Sequence, residues 1–189
     1  MSDFEWVKRG LCYKLGHDVP HPGGVIPLRF ITGRETDPAV LIPHLFEQTD
    51  PGFSTRCRPG DIIVTGRRFG MGPKVPGYIA MHALGLGLVC ESMPVQAYRA
   101  AISEGLPVLN RCPGVLDLCE SGHELEVDFS TGRFSNLTLA TEATFAPIPP
   151  ALHDLILHAG TSGWLANWWQ TVGRQRETAS ESLLNQESL

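Results

Sequence analysis

The sequence predicts an α/β fold in one domain, and three features of its 189 residues lead to that prediction. The β-branched run 61–65 is too short for a helix and is expected to be a buried strand. Short apolar runs then alternate with helical patterns as far as residue 109. From residue 124 onward apolar side chains recur at every second position, which is typical of a β-hairpin.

The individual elements follow from local patterns along the chain. Strands are predicted at 6–15, 25–28, 61–65, 86–90, 106–109, 124–129 and 134–139, and helices at 37–46, 78–84, 93–104 and 151–160. Asp37 before Pro38 is typical of a helix cap with proline at the first helical position. Gly105 is expected just past a helix end, where a positive φ is needed. The prolines in the loop 16–24 exclude a helix there.

Composition and charge exclude several classes of protein. With 42% hydrophobic and 19% charged residues, the chain is too apolar to be intrinsically disordered. A net charge of −5 argues against wholesale binding to nucleic acid or to an anionic membrane. Residues 51–80 nevertheless hold five cations against one acid, which indicates a small anionic ligand, an acidic partner or simply a solvated face.

The chain carries no recognisable membrane or metal-binding signal. No apolar run approaches the ~18 residues that span a bilayer, and the first residues lack the order of a signal peptide, so a cytoplasmic location is expected. The five cysteines are odd in number and contain no Cys-x-x-Cys pair, which indicates neither a disulfide framework nor a zinc or iron–sulfur site. Residues 1–170 are expected to form the domain, and 171–189 a polar tail that is disordered or folds only on a partner.

The Gly-rich loop 66–77 is the most informative stretch for function. It lies between a predicted strand and a predicted helix, so its backbone N–H groups and the helix N-terminus can approach an anion. Lys74 can bind a carboxylate there or act as a base, and the alternative is a solvated surface lysine. Arg67 and Arg68 flank the same loop, and at most one of them is expected to face inward.

The collinear order of short motifs from about residue 16 to residue 160 carries a family resemblance. These motifs are Val25-Ile26-Pro27, Asp37-Pro38, His44-Leu45-Phe46, Asp50-Pro51-Gly52-Phe53, Pro59-Gly60-Asp61-Ile62-Ile63-Val64, Phe69-Gly70-Met71-Gly72, Glu91-Ser92, Tyr98-Arg99, Ile102, Gly105-Leu106-Pro107, Val127-Asp128 and Ile148-Pro149-Pro150. The chain resembles the small subunit of 3-isopropylmalate dehydratase, which is the detached swivelling domain of the aconitase superfamily.

The resemblance implies an aconitase-type swivelling β/β/α domain that docks on a separate large subunit. That large subunit would carry a [4Fe–4S] cluster, whose free iron acts as a Lewis acid on the substrate, and this chain would hold no cofactor. The implied function is that of a hydro-lyase or isomerase small subunit in a leucine-biosynthesis-like reaction on a hydroxy di- or tricarboxylic acid such as isopropylmalate. The alternative is a repurposed cofactor-free domain that works alone or self-associates, as a divergent enzyme or a carboxylate-binding module.

The sequence departs from the family at the catalytic loop. The family pattern Gly-Cys-Gly-Ser-Ser-Arg-Glu-His supplies a Ser base and an Arg for a substrate carboxylate. In this chain Met71 takes the place of the Cys, and residues 73–77 take the place of Ser-Ser-Arg-Glu-His. The resemblance implies that the loops 16–24 and 66–77 share a substrate-facing edge. Gly70, Met71, Gly72, Pro73 and Arg68 are the substrate-binding residues predicted there.

Histidines of the loop 16–24 are candidates to replace the lost chemistry. Imidazole titrates near neutral pH, so His21 is a candidate acid or base together with Lys74, and a structural histidine is the alternative. His17 lies in the same loop. Arg99 is either a buried ion-pair partner or a functional residue. The three tryptophans of residues 164–169 form either a packed stripe or a partner-docking surface.

Overall fold

The computed structural model describes residues 5–72 and 75–173. Two of the predicted site residues, Pro73 and Lys74, lie outside the described residues. Most of the predicted tail, residues 174–189, lies outside them as well.

The described residues form seven strands and seven α-helices. The strands are β1 (Val7–Lys14), β2 (Ile62–Thr65), β3 (Gly87–Cys90), β4 (Val108–Asn110), β5 (Glu124–Asp128), β6 (Arg133–Asn136) and β7 (Thr141–Thr144). The helices are α1 (Leu28–Thr32), α2 (Pro38–Leu41), α3 (Phe53–Arg56), α4 (Pro76–Ala83), α5 (Val95–Ser103), α6 (His153–Leu157) and α7 (Thr161–Trp168). Short 3₁₀ turns cover Ile42–His44, Val115–Leu118 and Pro150–Leu152. Within the described ranges, none of the helices is long and apolar enough to cross a bilayer.

The strands form one curled sheet in the order β4-β3-β2-β1-β5-β6-β7. Strands β1 to β4 are parallel, and β5, β6 and β7 pair antiparallel. Successive side chains of β2 point to opposite faces of the sheet. Ile63 packs in one core with Tyr78 of α4, and Ile62 packs with Phe129 and Phe134 in a second core on the other face. The mixed α/β fold predicted from the sequence is confirmed.

Strand β1 changes its partner halfway along its length. Its first half pairs with β5 as far as Leu11, and from Cys12 onward it pairs with β2. The buried carboxylate of Asp61 accepts the Leu11 N–H at 2.7 Å at this point. Gly10 makes room for that carboxylate, because a Cβ there would lie 2.5 Å from Asp61 Oδ1. The Asp61 side chain thus bonds to β1 at the point where this strand changes partner.

Several predicted elements are confirmed with shorter bounds. Asp37 caps α2 by accepting the Ala39 N–H at 2.9 Å. Gly105, with φ 77°, follows the end of α5 and donates to Ile102 O at 2.9 Å. Both end signals therefore act as the sequence predicts.

Two local predictions are wrong, and one strand lies outside the predicted elements. The predicted strand at 25–28 is absent, because Val25 ends a turn, only Ile26 and Pro27 are extended, and α1 begins at Leu28. The helix predicted over 37–46 stops at Leu41 and continues only as a 3₁₀ turn, since Pro43 has no N–H to extend it. The sequence does not predict strand β7, because its mostly exposed residues show no apolar alternation.

Candidate functional site

The carboxyl ends of the four parallel strands meet at one edge of the sheet. His17 follows β1, Gly66 follows β2, Glu91 follows β3 and Arg111 follows β4. Ligands of open α/β sheets bind at such edges, because the loops that leave the strands converge there. This edge is the candidate functional site.

Backbone hydrogen bonds join the two loops that the resemblance singled out. The bonds are Gly66 N to Gly16 O (3.2 Å), Asp18 N to Arg67 O (2.9 Å), Gly70 N to Val19 O (2.8 Å) and His21 N to Met71 O (2.8 Å). Together they run along most of the loop 16–24. The structure therefore brings this loop and residues 66–72 together, as expected.

His17, Arg67 and Glu91 form a polar cluster at the strand ends. His17 Nδ1 accepts the backbone N–H of Arg67 at 2.9 Å. The Glu91 carboxylate lies 3.9 Å from both His17 Nδ1 and Arg67 Nε. The imidazole rests directly on Gly66, where a Cβ would lie 2.1 Å from Nδ1. Glycine at this position is what allows the ring to sit there.

Arg68 is engaged by an acid of the neighbouring loop. Its guanidinium donates to both carboxylate oxygens of Asp18, and the Nη2–Oδ2 distance is 2.7 Å. This hydrogen bonding holds the pKa of the Asp18 carboxyl below its usual value. Both residues also adopt positive φ, 60° for Arg68 and 58° for Asp18. Arg68 lies at the candidate edge, and a substrate carboxylate would have to displace Asp18 to bind it in the same way.

His21 occupies a buried position beneath the edge. Its side chain has no exposed surface, and Nε2 accepts the backbone N–H of Gly77 at 3.2 Å. The ring also packs against Tyr78, with centroids 4.7 Å apart. These contacts tie the loop 16–24 to the first turn of α4, which is a structural role. Proton transfer by His21 stays a prediction.

The Gly-rich loop has a backbone that only glycine adopts easily. Gly70 and Gly72 have φ of 73° and 102°. A Cβ on Gly70 would lie 2.3 Å from the Tyr78 hydroxyl, so the loop packs directly onto α4. The Met71 side chain between the two glycines is 42% exposed. The loop thus presents Met71 at the surface while its glycines fix the path of the chain.

Other predicted residues lie away from this edge or remain at the surface. Arg99 is exposed on α5, so the expectation of a buried ion-pair partner is wrong. On α7 and just beyond, Trp168 and Trp169 are 38% and 51% exposed, whereas Trp164 is half-buried. These exposures disagree with a fully packed tryptophan stripe.

Sequence reasoning missed the part that Glu91 plays in the polar cluster. In the sequence, Glu91 stands out only as part of the motif Glu91-Ser92. The signal that could have identified it is its place directly after β3, because side chains at the ends of adjacent parallel strands meet at one edge. No cluster of three His, Cys, Asp or Glu side chains in residues 5–72 and 75–173 could hold a metal ion.

Comparisons with known proteins give a consistent result. No family model matches the chain. The 3-isopropylmalate dehydratase small subunit of Thermodesulfovibrio yellowstonii is 32% identical over 158 residues, covering 82% of this chain and 92% of that protein. That of Pyrobaculum neutrophilum is 38% identical, covering 79% of this chain and 89% of that protein. The isopropylmalate/citramalate isomerase small subunit of Methanocaldococcus jannaschii is 31% identical, covering 84% and 94%.

A solved structure supports the fold. The crystal structure of 3-isopropylmalate dehydratase from Methanocaldococcus jannaschii is similar with a TM-score of 0.78 and 23% sequence identity. The match covers 89% of this chain and 99% of the solved chain. At this identity the similarity establishes the architecture.

Proposed function

The chain belongs to the 3-isopropylmalate dehydratase small-subunit family, and we propose from this membership that it is the small subunit of an aconitase-like hydro-lyase or isomerase. The substrate class is a hydroxy di- or tricarboxylic acid such as isopropylmalate. The observation that carries the proposal is the similarity to small subunits over about four fifths of the chain, together with the joined loops at the carboxyl edge. A cytoplasmic location is part of the same proposal.

A separate large subunit supplies the metal chemistry in this proposal. All five cysteines of this chain are buried, and within the described residues none belongs to a three-ligand cluster. They do not fit an iron–sulfur cluster, which needs several thiolates around one centre. No step is therefore assigned to a metal held by this chain. The large subunit is the proposed carrier of the [4Fe–4S] cluster.

The residues of this chain bind and orient the substrate in the proposed complex. Because His17 Nδ1 accepts a backbone N–H, the neutral ring carries its proton on Nε2 and donates from there to a substrate oxygen. The guanidinium of Arg67, held near Glu91, adds positive charge for a carboxylate. Lys74 is the proposed proton-transfer group of the Gly-rich loop. His21 is proposed to assist it through its bond to Gly77, at the start of α4.

Reconstitution with a partner tests the function directly. The full chain is co-expressed with the large-subunit homologue from the same source, and the complex is analysed by size exclusion with light scattering and by iron determination. A stoichiometric, iron-containing complex that interconverts isopropylmalate isomers is the expected result. A monodisperse chain that never takes up this partner would overturn the proposal. Thermal-shift screening of the isolated chain against carboxylic acids then tests the repurposed domain, because a ligand that binds only native protein raises Tm.

A matched pair of variants tests the role of Lys74. General acid–base groups contribute typically about 10²–10⁴-fold to a rate, so Lys74→Ala should lower kcat of the reconstituted complex by about 10²-fold or more. Arg133→Ala is the control, because Arg133 is a half-exposed cation that pairs with Glu126 on the antiparallel side of the sheet. Equal activities of the two variants would remove Lys74 from the catalytic role.

A further inference from the structure

Two buried cysteines meet on the side of the sheet that faces away from α4 and α5. Cys12 lies in β1, and Cys119 follows the 3₁₀ turn Val115–Leu118. Their sulfur atoms are 3.6 Å apart, and the Cys12 thiol donates to the Cys119 sulfur. The side chains are only 1% and 2% exposed. The two thiols are therefore in contact in the folded protein.

Backbone hydrogen bonds hold this contact in place. Cys12 N donates to His123 O at 2.8 Å, and Gly122 N donates to Cys12 O at 2.8 Å. The segment that follows Cys119 is thus hydrogen-bonded to both the N–H and the C=O of Cys12. A disulfide has an S–S length of about 2.05 Å, so the sulfur atoms need to approach by about 1.5 Å. Because β1 and the segment are already bonded to each other, this approach has to come from the side-chain torsions of the two cysteines.

The surroundings favour reaction at Cys119. The hydrogen bond from Cys12 lowers the pKa of the Cys119 thiol, and Lys14 acts in the same direction. By contrast, burial raises the pKa of Cys90, Cys112 and Cys57. The thiolate is the reactive form, so Cys119 is distinguished from the other buried thiols.

Exposed residues and a surface cavity lie beside this pair. Residues 120–122 directly after Cys119 are exposed. A surface cavity of about 540 Å³ is lined by Cys12, Ser121 and Gly122 among other residues. This volume is ample for a peroxide.

We propose that Cys12 and Cys119 form a reversible intramolecular disulfide when the protein meets hydrogen peroxide. The Cys119 thiolate attacks one peroxide oxygen, the O–O bond breaks, and a sulfenic acid forms while the departing hydroxide takes a proton to become water. The Cys12 sulfur then attacks the sulfenic sulfur, the S–S bond forms, the S–O bond breaks, and the hydroxide leaves with the Cys12 proton as a second water. Two thiols are oxidised and one peroxide is reduced. A dithiol restores both thiols.

Peptide mapping of the oxidised full chain tests the proposal. Treatment with a small excess of hydrogen peroxide should give a product lighter by two hydrogen atoms, with a cross-link between the peptides that contain Cys12 and Cys119. Dithiothreitol should reverse it. The cross-link closes a loop of roughly 100 residues, so Tm of the oxidised form should rise on the order of 10 °C.

Variants separate this pair from the remaining thiols. Cys57→Ser should still form the cross-link, whereas Cys12→Ser and Cys119→Ser should not. A sulfenic-acid probe should label Cys119 in the Cys12→Ser variant, which confirms the order of attack. Unmodified Cys12 and Cys119 in the wild-type protein, under conditions that fully oxidise glutathione, would overturn the proposal, as would a cross-link of Cys119 to a different cysteine. The wild-type measurement decides the matter even where a variant fails to fold.

Discussion

The carboxylate of Asp61 has a large predicted effect on stability, because it holds the junction where β1 changes partner. Oδ1 accepts from Leu11 N and Oδ2 accepts from Arg58 N, each at 2.7 Å. The Asp61 residue is only 3% exposed. Asp61→Ala removes both acceptors and leaves two backbone N–H groups without their partners. The substitution therefore tests whether this side chain holds the two halves of the sheet together.

The size of the effect follows from the two lost bonds. A hydrogen bond to a charged group contributes about 1.5–3 kcal/mol, so two bonds correspond to about 3–6 kcal/mol. Leu11 is 46% exposed, and water can reach the vacated groups and recover part of this energy. We expect the free energy of unfolding to fall by about 3 kcal/mol. For a chain of this length the corresponding decrease in Tm is about 6–12 °C.

Urea unfolding followed by circular dichroism measures this difference. Asp61→Asn is the matched variant, because its amide oxygen can still accept one of the two N–H groups while the charge is lost. It should show about half of the loss caused by Asp61→Ala. An alanine variant within about 0.5 kcal/mol of the wild type, the range of ordinary surface substitutions, would refute the reasoning. Equal losses for both variants would show that charge alone matters and would contradict the role of the individual bonds.

Three further predictions concern α4 and the loops at the carboxyl edge. The Tyr78 hydroxyl is buried without a hydrogen-bond partner among the described residues. Tyr78→Phe should therefore raise the free energy of unfolding, measured with urea, by about 1 kcal/mol. A loss of stability would contradict this. Gly77→Ala places a Cβ 2.5 Å from Val25 Cγ1 and 2.9 Å from the His21 ring, so it should lower stability by about 1–3 kcal/mol. An unchanged Tm would show that both side chains move aside freely. Because Arg68 lowers the pKa of Asp18, the stabilisation from this pair is present above the unfolded pKa of about 3.9 and is lost as pH falls through the folded value. NMR shifts of the loop amides should report that transition, and Asp18→Asn should abolish it.

Strands β2, β3 and β4 could be predicted because nearly all of their residues are buried on both faces. Residues 62–65 are fully buried, and a short β-branched run of this kind is typical of a buried parallel strand. The same logic fails at residues 25–28. Val25 and Ile26 are just as buried, yet they lie in a turn held by the bond from Ile26 N to His21 O. Burial of an apolar run therefore does not distinguish a strand from a packed loop.

The site was only partly predictable for a similar reason. Glycine and proline content marked the two loops as special, and the resemblance placed them on one edge. The contact of Glu91 with His17 joins residues from the ends of different strands, so no local pattern encodes it. The bond from Gly77 N to His21 Nε2 likewise joins residues far apart in the chain. Both depend on the sheet order, which a single sequence does not specify.

The contacts of the Gly-rich loop indicate which part of the site the sequence differences have changed. The positive φ angles of Gly70 and Gly72 and the bond from His21 N to Met71 O fix the path of the backbone, even though Met71 stands where the family has cysteine. The side chains along that path differ from the family pattern. The polar cluster of His17, Arg67 and Glu91 lies outside that path, at the ends of the strands. In the proposed complex, polar contacts with the substrate would therefore come from the ends of β1, β2 and β3 as well as from the loop. Substitution of His17 should consequently impair substrate binding more than folding, since its ring packs on the surface of Gly66 and not in either core.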